Sequence, residues 1–373
     1  MPYTAPVVNY EATALSWATI SNVQSVNITR GRQRFQDPLS QSVLTVEVIP
    51  TNTTTFSVGK FIDVRDANTD ASPCYFQGRI TDVQRSYAIP YNSVTGATPA
   101  DRITITATGG TGTLGTGQLN AETWSADLVD QIIFQLLTLQ GMSFGDFRAN
   151  TVRASGQTFT GSLLEAVNQL CNTAQYTLDD YRIDRAEGKV GITFFPTGQQ
   201  FNSLAFTDTG TGYAYTNLEY VSSFENTFNY VEVEPAGLAT SVTSGSAPFN
   251  ALQYRTFNET TGNASNLSAY LYALLSGQTA PVPFSISTNT ISSSACMALA
   301  QIPSGSLTNA VIGQPVSVAF RGTAATGTVV GVSAAFYPDR GSVQLYLSPS
   351  LGTPFTLDST AFGVLDTNRL GYP

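Results

Sequence analysis

Val58-Gly59-Lys60-Phe61-Ile62-Asp63-Val64 has a counterpart far downstream in Ile312-Gly313-Gln314-Pro315-Val316-Ser317-Val318. Each stretch places an aliphatic residue and a glycine ahead of a short alternating run, the pattern of a turn feeding a half-buried β-strand. The segments C-terminal to each stretch match too. Gly78-Arg79-Ile80-Thr81-Asp82-Val83 compares with Gly327-Thr328-Val329-Val330-Gly331-Val332, and Asp101-Arg102 before a strand compares with Asp339-Arg340 before another. Short alternating runs are individually unspecific. The shared order of strand, glycine-led strand, Asp-Arg and strand predicts two copies of one β domain in a single chain.

Outward from the first copy, residues 23–29 alternate, with Val26 and Ile28 on one face and Ser25, Asn27 and Thr29 on the other. Residues 43–49 do the same, and further strands at 61–64, 75–83 and 102–108 predict an antiparallel sandwich or barrel. The run Gly109-Gly110-Thr111-Gly112-Thr113-Leu114-Gly115-Thr116-Gly117 reads as a linker by composition. Beyond it the period changes. With Ser125 as N-cap, Leu128, Ile132, Ile133, Leu136 and Leu137 form one helical face up to Gly141. Ser162 and Glu165 form a capping box for a second helix carrying Leu163, Leu164, Val167, Leu170 and Cys171. Residues 176–183 and 190–195 then make a hairpin around Glu187-Gly188-Lys189.

From Leu204 the alternating pattern returns, notably at Tyr230-Val231-Glu232-Val233-Glu234. One helix, at 266–275, interrupts it, capped by Ser265 or Asn266 and ended by Gly277; strands resume at 283–287, 316–320, 326–334 and 342–347. The predicted chain is mainly β with an α+β insert. Residues 1–117 are a first β domain with its Gly-rich linker, 118–203 a small helix-plus-hairpin domain, 204–350 a second β domain with one helix, and 351–373 a C-terminal extension.

Composition removes whole classes of function. The 373 residues contain 17 basic and 26 acidic side chains, a net charge of −9, and no histidine. Lys60 and Lys189 are the only lysines, so the chain lacks the basic footprint of a nucleic-acid or anionic-membrane binder. Without histidine, Ser-His-Asp, Cys-His and His-zinc mechanisms are excluded. Cys74, Cys171 and Cys296 are isolated and odd in number, which predicts buried reduced thiols rather than disulfides or a zinc knuckle. No signal peptide is visible in residues 1–10, and no apolar run reaches the roughly 18 residues of a membrane span. A soluble protein made in a cytoplasm is expected.

Four motifs invite a chemical reading. Gly110-Thr111-Gly112-Thr113-Leu114-Gly115 fits G-x-G-x-x-G, but the next expected helix starts near Ser125, too late to aim its amides at a pyrophosphate. Asp179-Asp180, with Asp184 and Glu187 nearby, suggests a glycosidase carboxylate pair. Adjacent strand residues point to opposite faces, however, so solvated turn acids at the hairpin are expected instead. Asp63, Asp66, Asn68 and Asp70 resemble a calcium loop without its closing Glu and read as an Asx-rich turn. Arg30-Gly31-Arg32-Gln33-Arg34 is the densest positive cluster. Arg30, Arg32 and Arg34 are candidates for a subunit interface facing carboxylates of a neighbour, with a plain solvated turn as the alternative. Trp17 and Trp124 are expected to be packing residues rather than a sugar platform. No catalytic residue, cofactor or metal ligand is predicted.

At the C-terminus, Phe355-Thr356-Leu357-Asp358-Ser359 and Gly363-Val364-Leu365-Asp366-Thr367-Asn368-Arg369-Leu370-Gly371-Tyr372 resemble the closing signature of minor tail, or tail-hub (baseplate hub), proteins of long-tailed bacteriophages. Residues 26–34, residues 163–174 with the adjoining hairpin, and residues 208–219 then 229–233 resemble other segments of that family in the same order. The resemblance implies two tail-tube-like β-barrel domains around an α/β insert, and a structural rather than enzymatic role. It also implies a homotrimer whose six β domains form a ring. Such a hub would join the sixfold tail tube or distal tail ring to threefold tip or fibre proteins. Tape measure protein would be a further partner, with genomic DNA passing through the bore unbound. The location implied is the virion tail tip, after assembly in the host cytoplasm. Family members with a fused fibre, lysin or carbohydrate-binding module are larger, which puts host recognition by this chain in doubt. A distal tail or tube ring component, needing one barrel, is the alternative, and a glycan-cleaving tail enzyme a more distant one. Three chains of −9 would total −27, and acidic groups are expected to line the bore and repel DNA.

Overall fold

The computed structural model describes residues 3–34, 37–50, 56–86, 102–145, 151–199, 201–202, 204–208, 212–221, 228–236, 238, 241–246, 251–276, 282–291, 294–321 and 323–349. The C-terminal signature at 355–372, Asp101, Gly277 and part of the 208–219 segment lie outside them.

The first half contributes β1 (Val7–Thr13), β2 (Ser16–Thr19), β3 (Val23–Gly31), β4 (Ser40–Val48), β5 (Phe61–Arg65), β6 (Cys74–Ser86) and β7 (Arg102–Thr108). The middle holds α1 (Gly110–Thr116), β8 (Gln118–Trp124), β9 (Asp127–Leu128), α2 (Val129–Leu139), β10 (Ser143–Phe144), β11 (Arg153–Ala154), β12 (Gln157–Ser162), α3 (Leu163–Ala174), β13 (Tyr176–Tyr181) and β14 (Gly191–Pro196). The second half contains β15 (Leu204–Thr207), β16 (Asn217–Val221), β17 (Tyr230–Pro235), β18 (Val242–Gly245), β19 (Ala251–Thr256), α4 (Thr261–Leu275), β20 (Val282–Asn289), β21 (Pro315–Phe320), β22 (Thr323–Phe336) and β23 (Gly341–Pro349).

The two halves share one topology. In the first, neighbouring strands run β3-β4-β7-β6-β5, all antiparallel. In the second they run β16-β20-β23-β22-β21, again antiparallel, and each strand keeps its place in chain order. Register agrees as well. Ile62 faces Gly78, and Val316 faces Gly327. A bulge separates Ile80 from Asp82 against β7, and another separates Val329 from Gly331 against β23. The entry turns carry the same backbone bonds. Gly59 N–H donates to Ile80 O at 2.8 Å and Ile80 N–H to Lys60 O at 2.9 Å; Gly313 N–H donates to Val329 O at 2.7 Å and Val329 N–H to Gln314 O at 3.0 Å. Both glycines sit in the left-handed region, at φ +87° and +84°. Bulges and positive-φ turns are specific backbone devices, so their recurrence at matching positions marks a duplication rather than generic hairpins.

Two details of the repeat differ from expectation. The β6–β7 and β22–β23 registers make Arg102 equivalent to Ser342, so the Asp339-Arg340 match is two residues out of step. The outermost partners also diverge, with β1 antiparallel to β5 but β15 parallel to β21.

The halves are joined edge to edge. Beyond the part of β22 held by β21, residues 331–336 pair antiparallel with β3, from Gly331 opposite Gly31 to Phe336 opposite Val26. One 13-stranded sheet therefore runs through both halves, and a single apolar cluster, from Val8 and Val26 to Val343 and Leu347, lies along it. The insert has a separate core of Ile132, Leu136, Leu163, Val167, Leu170 and Phe194. The strand at 230–235 does not join the large sheet. With β18, β19 and α4 it makes a third unit, whose core includes Val231, Val233, Leu267 and Leu271, placed in the connection between β16 and β20.

Local corrections have physical causes. The glycine run is not a linker but α1, with Gly110, Thr111, Gly112 and Leu114 buried. A Cβ at Gly109 would strike Asp180 and Ser42, at Gly110 the carbonyl of Gly191, and at Gly115 the Gln41 amide, so these glycines serve close packing. Helix α2 begins after Leu128 rather than at Ser125, because Asp127–Leu128 first pair with β11. The Ser162 side chain makes no capping bond to α3, whose first amide, Leu163 N–H, is taken by Gly117 O at 3.0 Å. Helix α4 starts at Thr261, capped by the Thr260 hydroxyl, which accepts from Asn263 N–H at 3.2 Å.

Candidate functional site: buried ionic joints and open sheet edges

Arg30, the first arginine of the cluster, points inward from β3 and is 3% exposed. Its Nη1 donates to both oxygens of Asp179 on β13, at 2.9 and 3.0 Å, and its Nη2 donates to the carbonyls of Ala300 and Gln301, both at 3.0 Å. One guanidinium thus ties the first half, the insert and the second half together. The two Nη groups of arginine's planar fork serve different partners at once. The side chain assigned to a subunit interface is spent on a carboxylate of its own chain. Arg32 is half-buried and donates to Asn168 Oδ1 at 3.0 Å, while Arg34 is exposed beside Asp37.

The acid pair is not solvated, as the hairpin reading expected; Asp179 is 2% and Asp180 1% exposed. Asp180 accepts from Thr111 N–H at 2.9 Å and from the Ser42 hydroxyl, binding β13 to α1 and to β4. Burial lifts the Asp179 carboxyl to about 6, opposed by Arg30 and reinforced by the adjacent Asp180. Burial also raises Asp180, opposed by the Ser42 hydroxyl and the Thr111 amide. Enclosed by these donors, neither carboxyl has the open space that glycoside hydrolysis requires.

A second joint surrounds Asp63. Its Oδ2 accepts from Arg65 Nε at 2.7 Å and Arg185 Nε at 2.8 Å, and its Oδ1 from Arg185 Nη2 at 2.8 Å and Asn9 Nδ2 at 3.0 Å. Arg185 also donates to Asn68 Oδ1 at 2.7 Å and lies 4.4 Å from the Trp17 ring centre. The Asp70 carboxylate lies 3.4 Å from Arg65, and Asp66 accepts the Tyr75 hydroxyl. The oxygens that resembled a calcium loop are therefore committed to arginines and a phenol. Among the described residues no group of three or more His, Cys, Asp or Glu side chains is placed to hold a metal. Trp124 packs on Phe159, as expected of a core residue.

A surface groove of about 580 Å³ lies beside α3, lined by Leu39, Glu165, Asn168, Asn172, Gln253 and Arg255. Among the described residues of its lining, Glu165 is the only carboxylate. Two open strand edges are more distinctive. Residues 82–86 of β6 pair with β7 on one side and have no described strand on the other; β16 pairs with β20 and likewise has no described strand on its outer edge.

The sequence signals for these joints were incomplete because the partners are distant. Arg30 and Asp179 are 149 residues apart, and Asp63 and Arg185 are 122 apart. Nothing local distinguishes a buried acid of this kind from a turn acid.

No protein-family model matches the chain, and no curated protein matches it by sequence. Solved structures do match its fold. The 43 kDa tail protein of prophage MuSo2 from Shewanella oneidensis superposes with a TM-score of 0.58 at 12% identity, covering 94% of this chain and 98% of that one. A tail protein from Neisseria meningitidis MC58 gives 0.59 at 10% identity, covering 92% and 96%. The E. coli c3393 protein is a type VI secretion component with structural similarity to the T4 bacteriophage tail proteins gp27 and gp5. It gives 0.54 at 11% identity, covering 88% and 73%. The chain is mainly β and has the fold of phage tail proteins.

Proposed function

We propose that this chain is a structural virion protein, the hub of a phage tail tip, in which three copies encircle one axis and present six related β units. The duplicated topology, with its matched bulges and glycine turns, carries the reading. A chain with two equivalent units lets a threefold assembly offer a nearly sixfold surface, and heterologous contacts that close by rotation produce such a ring. One face would then meet the sixfold tube or distal tail ring, and the other the threefold tip or fibre proteins. Tape measure protein and passing DNA would meet the bore, which we expect to be acidic.

The fold shared with prophage tail proteins supports this role, as does the similarity of the c3393 protein to gp27 and gp5. A tube or distal tail ring component would need only one β unit, so the duplication favours the hub. The burial of Asp179 and Asp180 removes the acid pair that most invited an enzymatic reading, and no catalytic residue is proposed. Light scattering on the purified protein should give three times the 39.7 kDa of one chain, and imaged particles should show three copies around the tail axis. Particles in which the copies do not share an axis would refute the proposal.

A further inference from the structure

Resting on the ring reading, we propose that adjacent copies join by antiparallel pairing of residues 82–86 of β6 with β16 of the next copy. The register would be the one the chain already uses once within itself, between β22 and β3. The duplication makes β6 the counterpart of β22, and β16 the counterpart of β3. Within the chain, the edge of β22 that first holds β21 goes on to hold β3 along residues 331–336. The same edge of β6 holds β5 up to Arg79 and then, among the described residues, has no partner strand along residues 82–86. The strand that would fill it, β16, has no partner on its outer edge among the described residues. Each copy therefore carries one completed seam and the two halves of a second.

The registers specify the contact. The paired bulges make Ser333, Ala334 and Ala335 equivalent to Gln84, Arg85 and Ser86. The pairings Val26–Val46 and Leu218–Ile286 make Asn27, Ile28 and Thr29 equivalent to Glu219, Tyr220 and Val221. The internal pairs Ser333–Thr29, Ala334–Ile28 and Ala335–Asn27 then become Gln84–Val221, Arg85–Tyr220 and Ser86–Glu219 between copies. The chemistry fits a second copy. Tyr220 is a large side chain left 36% exposed at the position where Ile28 is buried. Arg85 is exposed and has no ion-pair partner among the described residues, so its guanidinium can cover that ring. Ser86 can donate to Glu219. An unpaired edge with neither proline nor bulge along residues 82–86 is a template for another strand.

The test uses the full-length chain carrying Gln84→Cys and Val221→Cys, oxidised mildly and run on a non-reducing gel, with its mass measured separately. Directly opposed antiparallel residues lie within disulfide range, whereas a pair two residues out of register does not. Within one copy the two positions lie seven strands apart in the order of the sheet, and bands at two and three times the chain mass identify a bond that joins copies. The seam predicts covalent dimers and trimers, at least about tenfold more abundant than for Gln84→Cys with Glu219→Cys. As a second variant, Tyr220→Asp should leave the circular dichroism spectrum unchanged and convert trimers to monomers. A trimer that neither cross-links in this register nor responds to Tyr220→Asp would overturn the seam while leaving the hub reading intact. A protein whose copies never share an axis would overturn both.

Discussion

Gly59 and Gly313 occupy equivalent turns with nearly the same φ and the same hydrogen bonds, yet their surroundings differ. A Cβ at Gly59 would meet nothing within 4 Å. At Gly313 it would lie 2.6 Å from Thr177 Oγ1 and 2.9 Å from Phe195 Cε2, both on the insert. Alanine at either site forces a left-handed residue, costing about 1–2 kcal/mol. Restriction of the unfolded chain offsets roughly 0.4–1 kcal/mol of that. Only Gly313→Ala adds overpacking, worth about 1–3 kcal/mol. The expected losses are therefore roughly 1 kcal/mol for Gly59→Ala and roughly 3 kcal/mol for Gly313→Ala. Urea unfolding monitored by tryptophan fluorescence would measure both, provided the denaturant slopes agree with the parent protein. Equal midpoints for the two variants would show that the insert is not seated on the second half. A stabilised Gly59→Ala would refute the left-handed turn and, with it, the equivalence of the two repeats.

The buried groups yield three further outcomes. Asp63→Asn leaves the buried Arg65 and Arg185 guanidiniums without their shared charge, and should cost about 3–5 kcal/mol in urea; a loss below about 1 kcal/mol would contradict the joint. The Asp179 carboxyl, ordinarily near 3.8, is raised to about 6 in the folded chain. Its stabilising contribution is fully present below about 3.8 and lost as pH rises through about 6, a change of roughly 3 kcal/mol. Unfolding titrations between about pH 4 and pH 6 should lose that slope in Asp179→Asn, and an unaltered slope would sink the assignment. Burial pushes the Cys74 and Cys171 thiols up to about 12 and Cys296 to about 11. All three should resist a thiol reagent at about pH 8 until the chain unfolds; rapid labelling of any one in the native protein would refute its burial.

Much of the fold was legible because β periodicity and turn chemistry are local. The Ile62–Gly78 and Val316–Gly327 pairings stand where the repeated stretches align, and the Glu187-Gly188-Lys189 turn closes its hairpin as read. Signals failed where the deciding atom belonged to another part of the chain. The glycines of α1 look like a flexible tether by composition, yet Gly110 makes room for β14, Gly112 for Thr108 of β7 and Gly115 for Gln41 of β4. Likewise, alternation identified the strand at 230–235 but carries no information about which sheet receives it. Arginine clustering suggested contact with another subunit, whereas Arg30 alone has enough donors to satisfy two elements of its own chain.

The internal seam also bears on how a duplicated chain can keep its two junctions distinct. Gly31 and Gly331 face each other there, and a Cβ on Gly331 would strike the carbonyl of Arg32. The position equivalent to Gly331 on β6 is Asp82. Its Cβ would be excluded wherever β3 and Arg32 supply the opposing strand. Strand β6 therefore cannot replace β22 beside β3, although the two share a register. In the proposed ring this asymmetry leaves β16 as the acceptor for β6. It favours a closed circle of intact chains over exchange of strands between them.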